Sequence, residues 1–419
     1  MKRLFALLIL LVVGIATAAE RPTHDGKVVL FGDLHTHSVL SKDFKAPKET
    51  KSKQKPSAAF EYAKSKGLDF LAVTDHQQQD DGTLDNPYRM TPSQYSQDVF
   101  NAAKAIRKKY AGEFIAIPGF EWGVESRGNH IGVLGAKGLP KADLENKDYD
   151  RVYKWAADGN CDFIQFNHPK RPGKNAKKVK QYGEELYDPP DEFLKAVQPL
   201  VRTMAIANSV AKAEYKDSEE KTHRRATHDK AYNDYLNLGF HVSPTGDGDS
   251  HGRNWGTMTA ARTAVWADAV TYKDLIKAIR ANRVYATEDD EMVVIFQAEY
   301  GGKTYWMGET IPFKQGQNTV TLKVKVWQAK GSDGDPVDEG PYTVVVMKDQ
   351  DGVGGKAAAK WGAPHEVGDE MLEVPLEIKP GQYFYVKVSE QNGKDNPIGD
   401  DRDTDMNDSA WTSPIWIGQ

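Results

Sequence analysis

Apolar and polar positions change their period along this 419-residue chain. Residues 4 to 15 form one apolar run, LFALLILLVVGI, behind Lys2 and Arg3 and ahead of ATAA. From Val28 to about Glu288, short apolar runs alternate with stretches of helical period. KVVLFGDLH, LDFLAVTDH, EFIAIPGFEWG, NHIGVLGA, CDFIQFNHP, RTMAIANS and FHVSPTGDGDSH read as strands. PSAAFEYAKSKG reads as a short helix, with Pro56 near its start and Gly67 as its stop. TPSQYSQDVFNAAKAIRKKYAG reads as a second, with Val99, Ala102, Ala103 and Ile106 on one face. DYDRVYKWAADG, PDEFLKAVQP and the second half of AEYKDSEEKTHRRATHDKAYNDYLNLG are helical, and RTAVWAD with YKDLIKAIRANRV closes the series. Repeated βα units with apolar strands predict a mostly parallel sheet, as a barrel or a doubly wound layer. Past about residue 290 the period becomes two: MVVIFQAEY, NTVTLKVKVWQAKG, PYTVVVMKDQDG, MLEVPLEI, QYFYVKVSEQNG and, last, AWTSPIWIG. A small all-β, sandwich-like domain over residues 291–419 is expected.

Composition adds three constraints. Hydrophobic residues are 39% and charged residues 27%, with a net charge of −5. That is an ordinary soluble balance without the basic excess that nucleic acid demands, so no nucleic-acid partner is expected. The positive start, short apolar run and small-residue exit match a secretory signal over residues 1–19, with an uncleaved anchor as the alternative. The protein is therefore expected to be exported, periplasmic or secreted, with no membrane span left after cleavage. Its one cysteine, Cys161, permits no internal disulfide, so a metal site would have to use His and carboxylate.

Such residues gather at the ends of the expected strands. The first strand exits into His35 and His37, the second into Asp75 and His76, the third into Glu121 and the fifth into His168. His130 begins the fourth, and Asp247, Asp249 and His251 follow the strand at Phe240. Six of the 11 histidines are in this set. Carboxyl ends of parallel strands form the ligand face of α/β folds, so distant residues would meet there. A plain polar rim is the alternative for any single histidine, but chance gives six no reason to share these positions. Imidazole and carboxylate without thiolate suit Zn, Mn or Fe, and the number of donors exceeds what one ion needs.

In order, DLHTHS, AVTDH, GFEWG with a following His, NHP and DSH resemble the motifs of the PHP (polymerase and histidinol phosphatase) superfamily, over roughly residues 28 to 290. DLIKAIRANRVYATED resembles the family's closing helix and strand, and AWTSPIWIG the C-terminus of an exported branch. The resemblance implies an α/β fold, a distorted (β/α)7 barrel over residues 20–290, and two or three divalent metal ions. By matching motif, His35, His37, Glu121 and Asp249 would hold one metal. Glu121 would bridge to a second, held by His130 and His168. His76, His251 and Asp43 would hold a third, although the family's acid or His usually stands one residue earlier, where this chain has Lys42. Asp33 and Asp75 are expected to orient neighbouring imidazoles from behind the ligands.

The implied activity is metal-dependent hydrolysis, most often of phosphoesters, by a metal-bridging hydroxide and no protein nucleophile. Carbamate, amide and carboxyl-ester hydrolysis use the same kind of site and stay open, as does a non-catalytic exported binding protein. The expected partner is a small-molecule ester. Lys170, Arg171 and Arg253 directly follow the metal motifs and are the candidates for binding its phosphate.

Overall fold

The computed structural model describes residues 21–41, 43–45, 54–77, 90–123, 130–141, 149–167, 169, 198–208, 228–289, 291–329, 342–348, 356–360, 370–390 and 409–418. The leader-like segment, His168, Lys170, Arg171 and most of the expected helix at PDEFLKAVQP lie outside these residues. Strands β1 (Thr23–His24) and β2 (Lys27–Asp33) form a hairpin whose turn places Asp25 and Gly26 at φ 48° and 71°. Then follow β3 (Phe70–Val73), β4 (Ile115–Trp122), β5 (Ile131–Leu134), β6 (Phe163–Phe166), β7 (Val201–Asn208) and β8 (Ser243–Asp247). From β2 to β8 each strand pairs with the next in sequence.

Between β2 and β8 the expectation of a mostly parallel sheet needs one correction. The pairs β2–β3, β3–β4, β6–β7 and β7–β8 are parallel, but β5 is antiparallel to both β4 and β6. Only residues 123–130 separate β4 from β5. A parallel return takes a crossover of about a dozen residues or more, so this short link forces a reversal. The two antiparallel joints thus come from one inverted strand in a large mixed sheet.

Helices pack outside the sheet where their apolar faces predict. The helix Pro56–Ser65 and the helical run Pro92–Gln94, Tyr95–Phe100 and Asn101–Lys109 are in contiguous sequence order with β3 and β4. Ala59, Phe60, Ala63, Ala103 and Ile106 bury against Leu71, Val73 and Ala116. Thr91 caps the second run, accepting from Gln94 N–H at 3.1 Å while Gln94 accepts from Thr91 N–H at 2.8 Å. Helix Tyr272–Arg280 sends Leu275, Ile276 and Ile279 into a cluster with Leu30, Phe70 and Val265.

After β8 the chain runs back as β9 (Arg262–Ala267), antiparallel to β2, and as β10 (Val284–Thr287), antiparallel to β9. The sheet then continues past residue 290. The remaining strands are β11 (Met292–Tyr300), β12 (Lys303–Trp306), β13 (Thr310–Ile311), β14 (Thr319–Gln328), β15 (Tyr342–Lys348), β16 (Lys356–Lys360), β17 (Leu372–Glu377), β18 (Tyr383–Glu390), β19 (Ser409–Thr412) and β20 (Ile415–Ile417). Strand β19 pairs with both β10 and β18, so among the described residues one 16-stranded sheet carries strands from both sides of residue 290. A second sheet, β12-β11-β14-β17, lies over it on a core that includes Val29, Trp266, Tyr285, Phe296, Val324 and Val386. AWTSPIWIG, expected as one strand, is two. Pro414 lacks an N–H for the ladder, and Ser413 turns its N–H and hydroxyl to Val284 O instead.

The late strands also grip a helix of the early part. On one face of β18, Tyr383, Tyr385 and Lys387 meet Asn237, Asn233 and Asp229 of helix Asp229–Asn237 at 2.9, 2.8 and 2.8 Å. Alternate strand residues thus engage every fourth helix residue. Among the described residues, no helix is long and apolar enough to cross a membrane.

Between β8 and β9 the backbones come close at Gly246. A Cβ there would lie 2.5 Å from Arg262 O and 2.9 Å from Arg262 N. Gly246→Ala is expected to cost about 1–3 kcal/mol of stability, as overpacking against rigid backbone does. Chemical denaturation should show a lowered midpoint, and an unshifted midpoint would contradict this packing.

Candidate metal centre

The ends of β2 and β8 are joined by side chains more than by a ladder. Their exits form one isolated bridge, Thr36 to Ser250, with Asp249 N–H to His35 O at 2.8 Å and His37 N–H to Ser250 O at 3.0 Å. Behind it stand two buried acids. Asp33 Oδ2 accepts from Gly248 N–H at 3.0 Å, and Asp247 Oδ1 accepts from Leu34 N–H at 3.0 Å. Each carboxyl thus holds the amide that follows the other. Asp33 Oδ1 also accepts from His35 N–H at 2.8 Å. Burial, then the neighbouring Asp247, pushes Asp33 up to about 8. Gly248 is small for a reason: a Cβ there would lie 2.5 Å from Asp33 Oδ2. Asp249 sits in the left-handed region at φ 44°, which aims its carboxylate back over the β2 exit.

The donor groups converge on Glu121, which is fully buried. Its Oε1 lies 3.2 Å from His35 Nε2 and 2.9 Å from His130 Nδ1, and its Oε2 lies 3.4 Å from His37 Nε2 and 2.9 Å from His76 Nδ1. Asp249 Oδ1 is 3.0 Å from both His35 Nε2 and His37 Nε2. Asp43 Oδ2 is 3.2 Å from His76 Nε2 and 3.1 Å from His251 Nε2, and those two nitrogens are 3.4 Å apart. Three compact donor groups result: His35 with His37 and Glu121, His76 with Glu121 and His130, and His37 with His76 and His251.

Hydrogen bonds fix two of the rings. Ser41 Oγ gives its proton to Asp75 Oδ1 at 2.9 Å, so at 2.9 Å from His37 Nδ1 it acts as acceptor. His37 Nδ1 therefore carries the hydrogen. Burial, then the charges of His251 and His76, lowers His37 well below the usual imidazole range. A neutral ring with its proton on Nδ1 turns a bare Nε2 lone pair toward two carboxylate oxygens. That nitrogen has no hydrogen bond. Such a contact repels unless a cation lies between the groups. His251 Nδ1 donates to Asp249 O at 3.0 Å, which turns its Nε2 to Asp43 Oδ2 at 3.1 Å. Tetrahedral donors about 2.05 Å from an ion stand about 3.3 Å apart, close to the separations here. The donor set fits divalent metals.

The other charges are set by the same crowding. Burial opposes the charge on Glu121, but His130, His35 and His76 outweigh it and hold the carboxyl well below its usual range. Burial would lower His76, yet Glu121 and Asp43 lift it to about 10. His35 and His251 are raised against burial by Glu121 with Asp249 and by Asp43 with Asp249. Protons at these rings occupy the places that metals would take.

The structure brings together His35, His37, Asp43, His76, Glu121, His130, Asp249 and His251. Arg253 is exposed beyond His251. The two rear acids act on the donors through intermediaries. Asp75 touches no imidazole directly; it accepts from Ser38 N–H and Oγ, both at 2.6 Å, and from Ser41 N–H at 3.1 Å and Oγ. Asp33 holds backbone amides. Both sit too deep under the strand ends to reach a ring, so each acts through the segment that carries the ligand. The sequence reading missed Ser41 and Asn167, whose Nδ2 donates to Glu121 Oε1 at 3.0 Å. Trp255, beyond His251, donates its Nε1–H to His37 O at 2.7 Å. A buried Asn next to a candidate ligand was the available signal for Asn167.

No family model and no curated protein matches the chain. Among solved structures it is similar to a two-domain protein from Bacteroides vulgatus described as containing a predicted PHP-like metal-dependent phosphoesterase. That likeness has 16% identity and a TM-score of 0.45 over 90% of this chain and 94% of the other. It is also similar to the lesion-specific endonuclease PfuEndoQ from Pyrococcus furiosus, at 15% identity and a TM-score of 0.32, over 60% of this chain and 56% of that one.

Two outcomes are expected. Ser41→Ala removes the acceptor that fixes the His37 ring and should weaken Zn²⁺ affinity about 10–100-fold in calorimetric titration. Zn²⁺ uptake at neutral pH should also release protons, because His76 holds one up to about pH 10 in the metal-free protein. Binding heats that do not vary with buffer ionisation enthalpy would contradict this.

Proposed function

We propose that this protein is an exported metal-dependent hydrolase, acting first on phosphate esters of small molecules. One observation carries the reading: the Nε2 atoms of His35 and His37 meet the carboxylates of Glu121 and Asp249 at 3.0–3.4 Å in a buried site. His35, His37, Glu121 and Asp249 would hold one divalent ion, and His130 and His168 would join Glu121 around a second. His76, His251 and Asp43 would hold a third. Ions bound there supply an activated water and electrophilic stabilisation of the ester oxygens.

The chain's own residues set the direction of approach. His35, His37 and Glu121 are sealed from solvent, while side chains of Asp43 and His251 are 45% and 22% exposed. Substrate therefore reaches the centre past Asp43 and His251. Arg253 at that rim offers a cation for an anionic group, and Lys170 and Arg171 remain proposed partners of it. Burial pushes the Cys161 thiol up to about 12, which leaves it inert as a nucleophile. The seven strands β2 to β8 are read as a distorted barrel, supported by the Thr36–Ser250 bridge between its first and last strands. Strands beyond residue 290 are read as its brace, and the leader-like N-terminus supports export.

The test combines metal analysis with a substrate panel of aryl phosphate mono- and diesters, carboxylate esters, carbamates and a DNA oligonucleotide. Replacing both His35 and His37 with Ala should remove bound metal and lower turnover by at least about 100-fold. Undiminished turnover in that folded double variant would sink the reading. Turnover confined to the carboxylate series would keep the metal centre and reject the phosphoester assignment.

A further inference from the structure

A buried row of residues crosses the sheet beside the metal centre. By register, His76 stands opposite Glu121, Glu121 opposite Gly132 of β5, Gly132 opposite Gln165 of β6, and Gln165 opposite Thr203 of β7. Cross-strand neighbours present their side chains on one face, so this is one lateral row. Its gap is Gly132, and the amide of Asn167 fills that gap. A Cβ on Gly132 would lie 3.0 Å from Leu134 Cδ2, 3.3 Å from Asn167 Oδ1 and 3.4 Å from Nδ2. Glu121, Gln165, Asn167, Thr203 and Asp247 are all fully buried.

The hydrogen bonds along this row have one consistent direction. Asp247 Oδ2 accepts from Thr245 Oγ1 at 2.6 Å and from Gln165 Nε2 at 3.0 Å. A carboxylate oxygen accepts, so Gln165 must turn its nitrogen there and its Oε1 to Thr203 Oγ1, which donates at 2.9 Å. The second N–H of Gln165 meets Asn167 Oδ1 at 3.0 Å. With its oxygen taken, Asn167 presents nitrogen to Glu121 Oε1 at 3.0 Å and to His35 Nδ1 at 3.2 Å. Reversing either amide would set oxygen against carboxylate at one end of the chain.

We propose that Gln165 is a positioning residue for the metal centre, which turns the Asn167 amide so that its N–H holds the shared carboxylate of Glu121. This rests on the metal-centre reading above. Gln165 links the acid behind the β8 exit to the carboxylate at the β4 exit, so both sides of the donor set share one orientation. Without it the Asn167 amide can reverse and push Glu121 Oε1 away.

The test is Zn²⁺ titration of metal-stripped, full-length protein against a chromophoric chelator, with folding checked by circular dichroism. Gln165→Met keeps the volume and removes all three hydrogen bonds. It should raise the apparent Kd about 10–100-fold, and Asn167→Ala should do the same. In the Asn167→Ala background, adding Gln165→Met should change Kd by no more than about twofold, because the effect runs through Asn167. A general packing role would instead lower the denaturation midpoint, leave Kd unchanged and give effects that multiply. Gly132→Ala crowds the same amide, together with the Leu134 side chain, without removing a polar group, and should weaken Zn²⁺ binding even where Gln165→Met does not fold. Folded Gln165→Met or Gly132→Ala with wild-type affinity overturns the proposal while leaving the metal centre standing. Wild-type protein that takes up no Zn²⁺ overturns the functional reading itself, and this inference with it.

Discussion

The architecture depends on how two strand ends are held together without a ladder between them. Strand β9 occupies the edge of β2 that β8 would need, so β2 and β8 meet only past their ends. Buried backbone amides left there would be costly, at about 1–3 kcal/mol each. Asp33 and Asp247 remove that cost by each accepting the amide beyond the other. The same exchange fixes where His35 and Asp249 emerge, two residues along each chain. Closure of the fold and placement of the donors are therefore one event.

Around that junction the structure spends polar groups in layers. Deepest are the two acids with Thr245, Thr263 and Gln165; above them come Glu121, His35 and His37; at the rim are His251 and Asp43. Each layer satisfies the one above it. A hydroxyl whose proton goes downward, as with Ser41 to Asp75, can only accept from the ring above. Charge is thereby kept at the donors rather than lost into the core.

Much of this was legible from sequence, because ligand-type residues at the ends of apolar runs have few other reasons to be there. His35, His37, His76, Glu121, His130, Asp249 and His251 all follow that rule. Asp43 is off the usual spacing, yet the chain folds back at Ser38–Ser41 and is tied by Lys45 N–H to His251 O, which returns the carboxylate to the rim. The inversion of β5 was not legible, since an apolar run carries no direction; the short link before it was the clue. Pairing of β10 with β19, across more than 100 residues of sequence, leaves no local trace. Gln165 was visible as a polar residue inside the apolar run FIQF, but its partner depended on an absent side chain at Gly132 on another strand.

The contact between β18 and helix Asp229–Asn237 works like a vernier, two scales of unequal division laid side by side. Two strand residues advance about 6.7 Å and four helix residues about 6.0 Å. Each rung drifts about 0.7 Å from the last, so three rungs fall within hydrogen-bond tolerance and a fourth would lie about 2 Å out of step. The helix leads straight into β8, whose exit carries Asp249 and His251. Lengthening either scale by one residue would throw every rung out together, so homologous chains should vary in the loops around this contact and keep both scales at constant length.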